Sequence, residues 1–414
     1  MRQSVLFPKT KKEAPKGAES VNHKLLVRAG FIDQLMAGSW TLLPLGWRVI
    51  TKINQIIREE MNSIGAQEIL MPLLHPKEIW NETGRWDKAK EVMYQFKDNR
   101  DREYALSFTH EEILLALVRK HVRSYQDLPL ALYHFSTKFR NEARARSGIL
   151  RGREFLMKDL YSVHATEADF WRYYEEVKNA YSRAFEKIGF EFKVVEAAGG
   201  VFTDNITHEF QVLTSGGEDT IYHCDKCDWA QNKEIYGGDK GGPCPKCHKG
   251  VVKESKSIEV GNIFPFGTYY SERMKVNYAD EDGKVKPMWF GSYGIGTTRV
   301  MGAWVEVSHD GKGIIWNKAI SPFDVHLIEI RNSKFEIRKK AKEVYEKLQK
   351  AGIEVLWDER EISAGEKFAD ADLIGIRARL VVSEKTSDKV ELKYRNSEKT
   401  ENYELLKIID LLKE

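Results

Sequence analysis

The chain has 414 residues, enough for two or three domains, each with its own core. With 65 basic and 62 acidic residues the net charge is only +3, which excludes a globally basic surface and leaves local patches to meet any nucleic acid. No apolar run is long enough to span a bilayer, the N-terminus has no signal-peptide core, and the four cysteines fall in two Cys-x-x-Cys pairs; a soluble cytoplasmic protein is expected.

Residues 1–19 are polar and basic and read as a flexible tail. Leu45, Val49, Ile50, Ile53, Ile56, Ile57, Met61 and Ile64 recur at helical spacing, and Gly65 stands where a C-terminal cap belongs. Ala66 to Met71 reads as a strand stopped by Pro72. Thr109 and Glu112 have the spacing of a capping box and open a helix that runs to about Arg123. Leu130 to Phe139 and Arg153 to Met157 read as two antiparallel strands, with turn formers Ser147, Gly148 and Gly152 between them. From Lys138 to Arg153 this segment carries one lysine and five arginines, Arg140, Arg144, Arg146, Arg151 and Arg153. Guanidinium forks bind phosphate oxygens in pairs, so the loop fits a polyphosphate; a nucleic-acid patch or an ion-pair surface is the alternative.

Phe170 to Ile188 is an amphipathic helix ending at Gly189, its aromatic stripe a packing face, and Phe192 to Val195 begins a strand. Thr207-His208-Glu209 lacks the second histidine of a helical zinc site, which rejects a metalloprotease. Cys224-x-x-Cys227 and Cys244-x-x-Cys247, sixteen residues apart, have the spacing of a tetrahedral metal knuckle. Four protein ligands leave no open position, so the metal there, a zinc ion, is structural. Gly261 to Tyr270 and Met274 to Tyr278 read as strands, with a hairpin turn at Asp280 to Gly283. A further strand, Pro287 to Tyr293, leads through Gly294 and Gly296 into a helix bearing Arg299. From Asp324 onward strands and helices alternate, the pattern of a mainly parallel sheet.

Phe139-Arg140-Asn141-Glu142 with Arg151-Gly152-Arg153-Glu154-Phe155 resembles motif 2 of the class II aminoacyl-tRNA synthetases. GREFLMKDLYSVH, SVNHKLLVRAGFIDQLMAGSW and GIIWNKAISPF are similar to the bacterial prolyl-tRNA synthetase family, over roughly Ser20 to Val382. Leu45–Pro72 resembles motif 1, which implies a homodimer through that segment, and Gly294–Arg299 resembles motif 3. The resemblance implies an α+β catalytic core, an antiparallel sheet with flanking helices, followed by a C-terminal α/β anticodon-binding domain. On this reading residues 1–19 are the tail, 20–218 and 259–320 the core, 219–258 a short cysteine-rich insertion, and 321–414 the anticodon-binding domain. Most bacterial members carry a large editing domain where this chain has only those 40 residues.

The roles implied are these. Arg140 and Arg299 are catalytic. ATP is met by Arg140, Glu142, Arg151, Phe155, Gln211 and Arg299, with Mg2+ neutralising the phosphates. Proline is met by Thr109, Glu111, Arg140, Met157, Tyr161, Phe202, His208 and Ser292, with the Glu111 carboxylate near the imino group. Thr207 replaces the family's usual serine. Ser292 stands where bacterial members commonly have cysteine, which leaves the finer shape of the pocket open. The implied reaction is ATP-dependent activation of L-proline and its transfer to tRNA(Pro), any correction of mischarged tRNA falling to a separate protein. A sister synthetase for threonine, glycine or histidine and a non-enzymatic RNA-binding relative are the rivals; the cysteines lie outside the core, unlike the metal a threonine enzyme needs, and both motif arginines are kept.

Overall fold

The computed structural model describes residues 1–143, 145–200, 205–330 and 335–413. The chain forms two compact units, one of residues 36–40 and 53–303, the other of residues 1–35, 41–52 and 304–414. Among the described residues no helix is long and apolar enough to cross a membrane.

The first unit is built on one sheet. Its strands are β1 (Gln67–Glu68), β2 (Leu130–Phe139), β3 (Glu154–His164), β4 (Phe192–Ala198), β5 (Ile206–Leu213), β6 (Asp219–Cys224), β7 (Ala230–Asn232), β8 (Val252–Gly267) and β9 (Trp289–Ile295). They lie in the order β5-β4-β7-β6-β8-β9-β3-β2-β1, and β5 also pairs with β8, so β5, β4, β7, β6 and β8 close into a ring. The central pairs β2–β3, β3–β9 and β8–β9 are all antiparallel. The segment expected as an insertion, 219–258, therefore supplies strands to the main sheet. The helix Glu167–Ile188 buries Phe170, Tyr174, Tyr181 and Phe185, each worth about 1.5–3 kcal/mol in removed apolar surface. The Thr166 hydroxyl caps its start, and Gly189, at φ 101°, ends it.

Three local expectations are corrected. The Thr109–Glu112 capping box does not form: the helix Glu111–His121 has no side-chain cap, because the Thr109 hydroxyl donates to Glu111 and the Glu112 carboxylate is buried elsewhere. Of the strands read as Gly261 to Tyr270 and Met274 to Tyr278, the first ends at Gly267, and a helix, Tyr269–Met274, takes the ends that face each other and turns Tyr270 and Met274 into the core. The strand after Gly65 shrinks to Gln67–Glu68, whose side chains are exposed.

The second unit has β10 (Val325–Glu329), β11 (Val355–Asp358), β12 (Ala378–Val382), β13 (Val390–Tyr394) and β14 (Thr400–Tyr403), ordered β11-β10-β12-β13-β14. The first three are parallel, as the alternation predicts; β13 and β14 extend the sheet antiparallel. Val325, Leu327, Ala341, Leu348, Leu380 and Ile408 are in its core. The N-terminal residues are anchored on this unit rather than free. Arg2 bridges to Trp357 on the edge strand β11, Gln3 meets the buried His326 at 2.6 Å, and the Thr10 hydroxyl donates to Asp370 at 2.6 Å. An open strand edge offers unpaired backbone groups, which an extended peptide satisfies whatever its polarity.

Candidate functional site

The β2–β3 hairpin pairs Lys138 with Phe155 and Phe139 with Glu154, then releases the chain into the cationic loop. Ser147 (φ 60°) and Gly148 (φ 64°) turn it back. The loop is held against Gly38, whose carbonyl accepts from the Arg153 amide at 2.7 Å. A side chain at Gly38 would put its Cβ 2.7 Å from the Ala145 Cβ, so only glycine allows the approach.

A cavity of about 370 Å3 opens over this hairpin, and Arg140, Glu142, Arg151, Phe155, Met157 and Arg299 all line it. Arg140 lies over the Phe155 ring at 5.3 Å. Arg151 donates to Glu142 at 2.8 Å, so these two side chains hold each other. Arg299 faces Glu259 at 3.6 Å, and its buried Nε has no hydrogen-bond partner among the described residues. An unpaired guanidinium donor beside an open cavity fits an anionic ligand. Gln211 is fully buried behind the wall, donating to Glu209 at 2.9 Å and Asp219 at 3.2 Å. Glu209, Asp219 and Glu259 line the cavity. Burial, with Glu259 beside it, pushes the Glu209 carboxyl up to about 8.

Next to this cavity lies a drier cluster. Thr109 donates to Glu111 at 2.6 Å, Ser292 donates to the other Glu111 oxygen at 3.1 Å, and the His110 amide donates to the Tyr161 hydroxyl at 3.1 Å. All four expected residues Thr109, Glu111, Tyr161 and Ser292 are buried. Arg140 links the two regions: it lines the cavity while its Nε donates to the carbonyl of Phe108, the residue before Thr109. His208 is held by the Tyr174 hydroxyl at 2.8 Å, and no hydrogen bond joins it to this cluster among the described residues. Phe202 and Arg144 lie outside the described residues.

Sequence reasoning missed several neighbours. Arg85 contacts Glu111 at 3.0 Å and Glu112 at 3.1 Å. Asp159 follows Phe155 and Met157 at the two-residue step of β3, a periodicity that marks it as sharing their face. Lys138, counted by sequence among the phosphate-binding cations, is fully buried instead. Its ammonium pairs with Asp159, donates to Ser136 at 2.9 Å, and lies 3.3 Å from His134 Nε2. His110 Nε2 donates to the Pro72 carbonyl at 2.9 Å, leaving Nδ1 to accept from Lys138. Burial works against the Asp159 carboxylate, yet Lys138 and the His134 hydrogen bond hold its pKa far below the usual range. His110, His134 and Asp159 have a metal-binding composition, but the Lys138 ammonium supplies the positive charge at their centre.

The four cysteines converge. Cys224 and Cys247 Sγ are 3.7 Å apart, Cys227 and Cys244 Sγ 3.6 Å, and all four lie within 4.8 Å of one another. Tetrahedral Zn–S bonds of about 2.3 Å require sulfurs roughly 3.8 Å apart, so the set fits zinc. The Lys226 and Cys247 amides point at sulfur, at 3.3 and 3.5 Å, as expected around thiolates. His223 instead meets Ser255 at 2.9 Å. A Cβ on Gly250 would sit 2.3 Å from Cys224 Sγ, so this turn must be glycine. The knuckle is tied to the cavity wall: Asn232, at the end of β7, donates to Glu209 at 3.1 Å.

An antiparallel sheet carrying an arginine-rich hairpin loop and a glycine-to-helix arginine over one cavity defines a class II aminoacyl-tRNA synthetase core. The model of the class II core domain (G, H, P, S and T) matches residues 94–308, and that of the anticodon binding domain matches residues 324–414. A proline–tRNA ligase of Persephonella marina is 34% identical over all of both chains. That of Halothermothrix orenii is 34% identical over 98% of this chain and 97% of its own. The chain belongs to the proline–tRNA ligase family. The Persephonella alignment spans 561 positions against the 414 residues here, so that relative carries chain that this one lacks. Among solved structures, Giardia lamblia prolyl-tRNA synthetase in complex with prolyl-adenylate superposes with TM-score 0.78 at 18% identity, covering 94% of this chain and 75% of that one. The Cryptosporidium parvum enzyme with L-proline and AMP gives TM-score 0.76 at 18% identity, covering 95% and 74%. At that identity the likeness speaks to the fold.

Proposed function

We infer that this protein is a proline–tRNA ligase: it activates L-proline with ATP and transfers the prolyl group to the 3′ end of tRNA(Pro). The observation that carries the reading is the position of Arg140 between the phosphate-sized cavity and the Glu111 cluster. A proline carboxylate held beside Arg140 attacks the α-phosphate of ATP; the bond to the β-phosphate oxygen breaks, giving prolyl-adenylate and pyrophosphate. A ribose hydroxyl of the tRNA's terminal adenosine then attacks the activated carbonyl and AMP leaves. Catalysis rests on positioning and charge stabilisation rather than covalent work by the protein.

Arg140 binds the α-phosphate and steadies the charge that develops there. Phe155 stacks on the adenine and Glu142 accepts from its amino group, with Arg151 bracing Glu142. Arg299 takes the outer phosphates through the Nε that has no hydrogen-bond partner among the described residues. Gln211 acts from behind, positioning Glu209 and Asp219. Mg2+ entering with ATP supplies charge neutralisation, and Glu259, Glu209 and Asp219 are the acids that would hold it. Thr109, Glu111, Tyr161, Ser292 and Met157 form the proline pocket, with the Glu111 carboxylate taking the secondary ammonium. His208 and Phe202 complete its rim on this reading. The cysteines hold one structural Zn2+. An ATP–pyrophosphate exchange panel over the twenty amino acids tests the assignment; strongest exchange with an amino acid other than proline would refute it.

The remaining partners follow. Residues 324–414 would read the tRNA anticodon. Leu70 and Leu74, at 80% and 51% exposure, are apolar side chains that a second copy would cover in a homodimer; sedimentation of a fully active monomer at micromolar concentration would refute the dimer. The free thiols suit the reducing cytoplasm. A pocket sized for proline cannot exclude the smaller alanine, since each missing methylene costs only about 1–3 kcal/mol. With strands β6 and β7 and the knuckle filling the span where an editing domain would stand, correction falls to a separate protein. Preformed Ala-tRNA(Pro) should survive incubation with the pure enzyme, and hydrolysis above the spontaneous rate would reveal an editing site in this chain.

A further inference from the structure

Arg85 is buried at 8% exposure, 26 residues before the acid it touches. Its Nη1 lies 3.0 Å from Glu111 Oε2 and 3.2 and 3.1 Å from the two oxygens of Glu112. Rings stand against the guanidinium, among them Phe108 at 4.8 Å, Trp80 at 5.6 Å and Tyr270 at 5.6 Å. This cage fixes the cation by cation–π attraction and packing, independently of either acid. Glu112 is fully buried, takes the Thr83 hydroxyl at 2.7 Å, and lies in the first turn of its helix, where the N-terminal dipole favours an anion. Both Glu112 oxygens are thus occupied by donors, and Arg85 and Thr83 oppose the burial and the neighbouring Glu111 that push its carboxyl above the ordinary range.

The charges do not balance. At hydrogen-bond distance two buried carboxylates share one guanidinium, one negative charge in excess within that trio, while the Arg140 and Lys138 cations act on Glu111 from further off. Arg85 and Thr109 both claim Glu111 Oε2, which among the described residues leaves Oε1 with the Ser292 hydroxyl alone. A buried uncompensated charge is costly until a partner arrives.

We propose that Arg85 is a positioning and specificity residue: it clamps one oxygen of Glu111 and offsets Glu112, so that the other Glu111 oxygen presents a single excess negative charge that only a protonated amine satisfies. The proposal rests on the reading of Glu111 as the amine acceptor. The pocket then selects an ammonium-bearing substrate over a neutral molecule of the same shape, such as cyclopentanecarboxylate, which keeps the ring and carboxylate of proline and lacks the nitrogen.

The test uses the full chain and ATP–pyrophosphate exchange, with cyclopentanecarboxylate as competitor. Arg85→Met should raise the proline KM about tenfold or more while the ATP KM stays within about twofold, because two buried carboxylates left without the cation between them share a proton and Glu111 no longer meets the ammonium as a fixed anion. Arg85→Lys should recover most of the loss. Glu112→Gln keeps the shape and the Thr83 contact but removes the excess charge; it should raise the proline KM about tenfold and leave the competitor's inhibition constant unchanged. If Arg85→Met does not fold, Glu112→Gln and Arg85→Lys decide. A Glu112→Gln proline KM within about threefold of wild type, or proline and ATP KM values rising together, overturns the proposal. Glu111→Gln separates the two levels: if it leaves proline KM unchanged the proline-site reading itself falls, whereas a raised KM there with unaffected Arg85 and Glu112 variants refutes only the role of Arg85.

Discussion

Replacing Lys138 with methionine keeps the length of the side chain and removes the charge under the catalytic hairpin. Lys138 is 0% exposed and Asp159 4%, so solvent does not screen the loss. With Lys138 gone, His134 Nε2 at 3.4 Å and His110 Nδ1 at 4.0 Å still face the Asp159 carboxylate. Breaking one side of a buried ion pair costs about 3–5 kcal/mol. A second route gives the same size: if Asp159 protonates instead, raising it from about 3.9 to above 7 costs about 4 kcal/mol at neutral pH. For a unit of this size that is a fall in melting temperature of about 6–20 °C.

The loss should shrink in acid. Burial, with the Lys138 charge adding to it, holds the His134 pKa below its ordinary value against the pull of Asp159, so removing Lys138 lets it rise back toward that value. A depressed histidine costs stability as pH falls below its unfolded pKa, and the variant, whose histidine is less depressed, loses less of it in acid. The gap between wild type and Lys138→Met should therefore be widest at pH 8 and narrower at pH 6. Thermal unfolding of both proteins at the two pH values measures it. A variant melting within about 2 °C of wild type at pH 8 would mean that Lys138 is not the partner of Asp159, since that is below about 1 kcal/mol for a unit of this size. A gap independent of pH would remove His134 and His110 from the account.

Other substitutions probe the site directly. Arg140→Ala should lower proline-dependent exchange about a hundredfold or more with the fold intact, since the transition-state charge loses its donor; exchange within tenfold of wild type would refute the role. Protein purified without chelator should contain about one zinc per chain by elemental analysis, and freely titrating thiols without metal would exclude the knuckle. Cys224→Ser should destabilise the core and, through Asn232 and Glu209, raise the KM for ATP while leaving that for proline nearly unchanged; equal shifts in both would show that the knuckle does not act through the cavity wall. Glu209, whose carboxyl sits near 8, must lose its proton before it binds a cation, so less Mg2+ should half-saturate exchange at pH 8.5 than at pH 6.5. A raised carboxyl also makes its contribution to stability fall as pH climbs from the unfolded value near 4.3 toward 8, which a pH series of melting curves follows.

Periodicity made most of this architecture legible. β2 ends at Phe139 and the long aromatic helix at Gly189, as alternation and a glycine stop predict. Arg140 and Arg151 of the loop and Arg299 of the last core helix also fall where their sequence neighbours place them, on one cavity. What stayed hidden depends on residues distant in sequence. Nothing near Thr109 says that Arg85 will occupy Glu112, so the local capping box looked satisfied when tertiary contacts had already claimed both side chains. Lys138 misled for a similar reason: it adjoins the cationic loop, but it sits on a strand whose alternation with His134 and Ser136 turns it inward. The N-terminal segment reads as polar tail because composition says nothing about an edge strand 350 residues away that accepts its backbone.

The closed ring of β5, β4, β7, β6 and β8 has a consequence for how the molecule behaves in a crowded cell. Among the described residues, the sheet of the first unit keeps one free edge, β1, two residues long and polar, which is too short to template another chain. The opposite end has no edge while the ring is shut. The link most easily lost is the single bridge between Glu196 of β4 and Gln231 of β7, next to the cysteines. If the cysteines hold the zinc ion proposed for them, its loss lets β6 and β7 part from β4 and expose two fresh edges, with Val195, Ile221 and Ala230 beneath them. Zinc starvation would then turn a well-guarded sheet into a self-associating one. The damage would appear as insoluble enzyme before it appeared as slow enzyme.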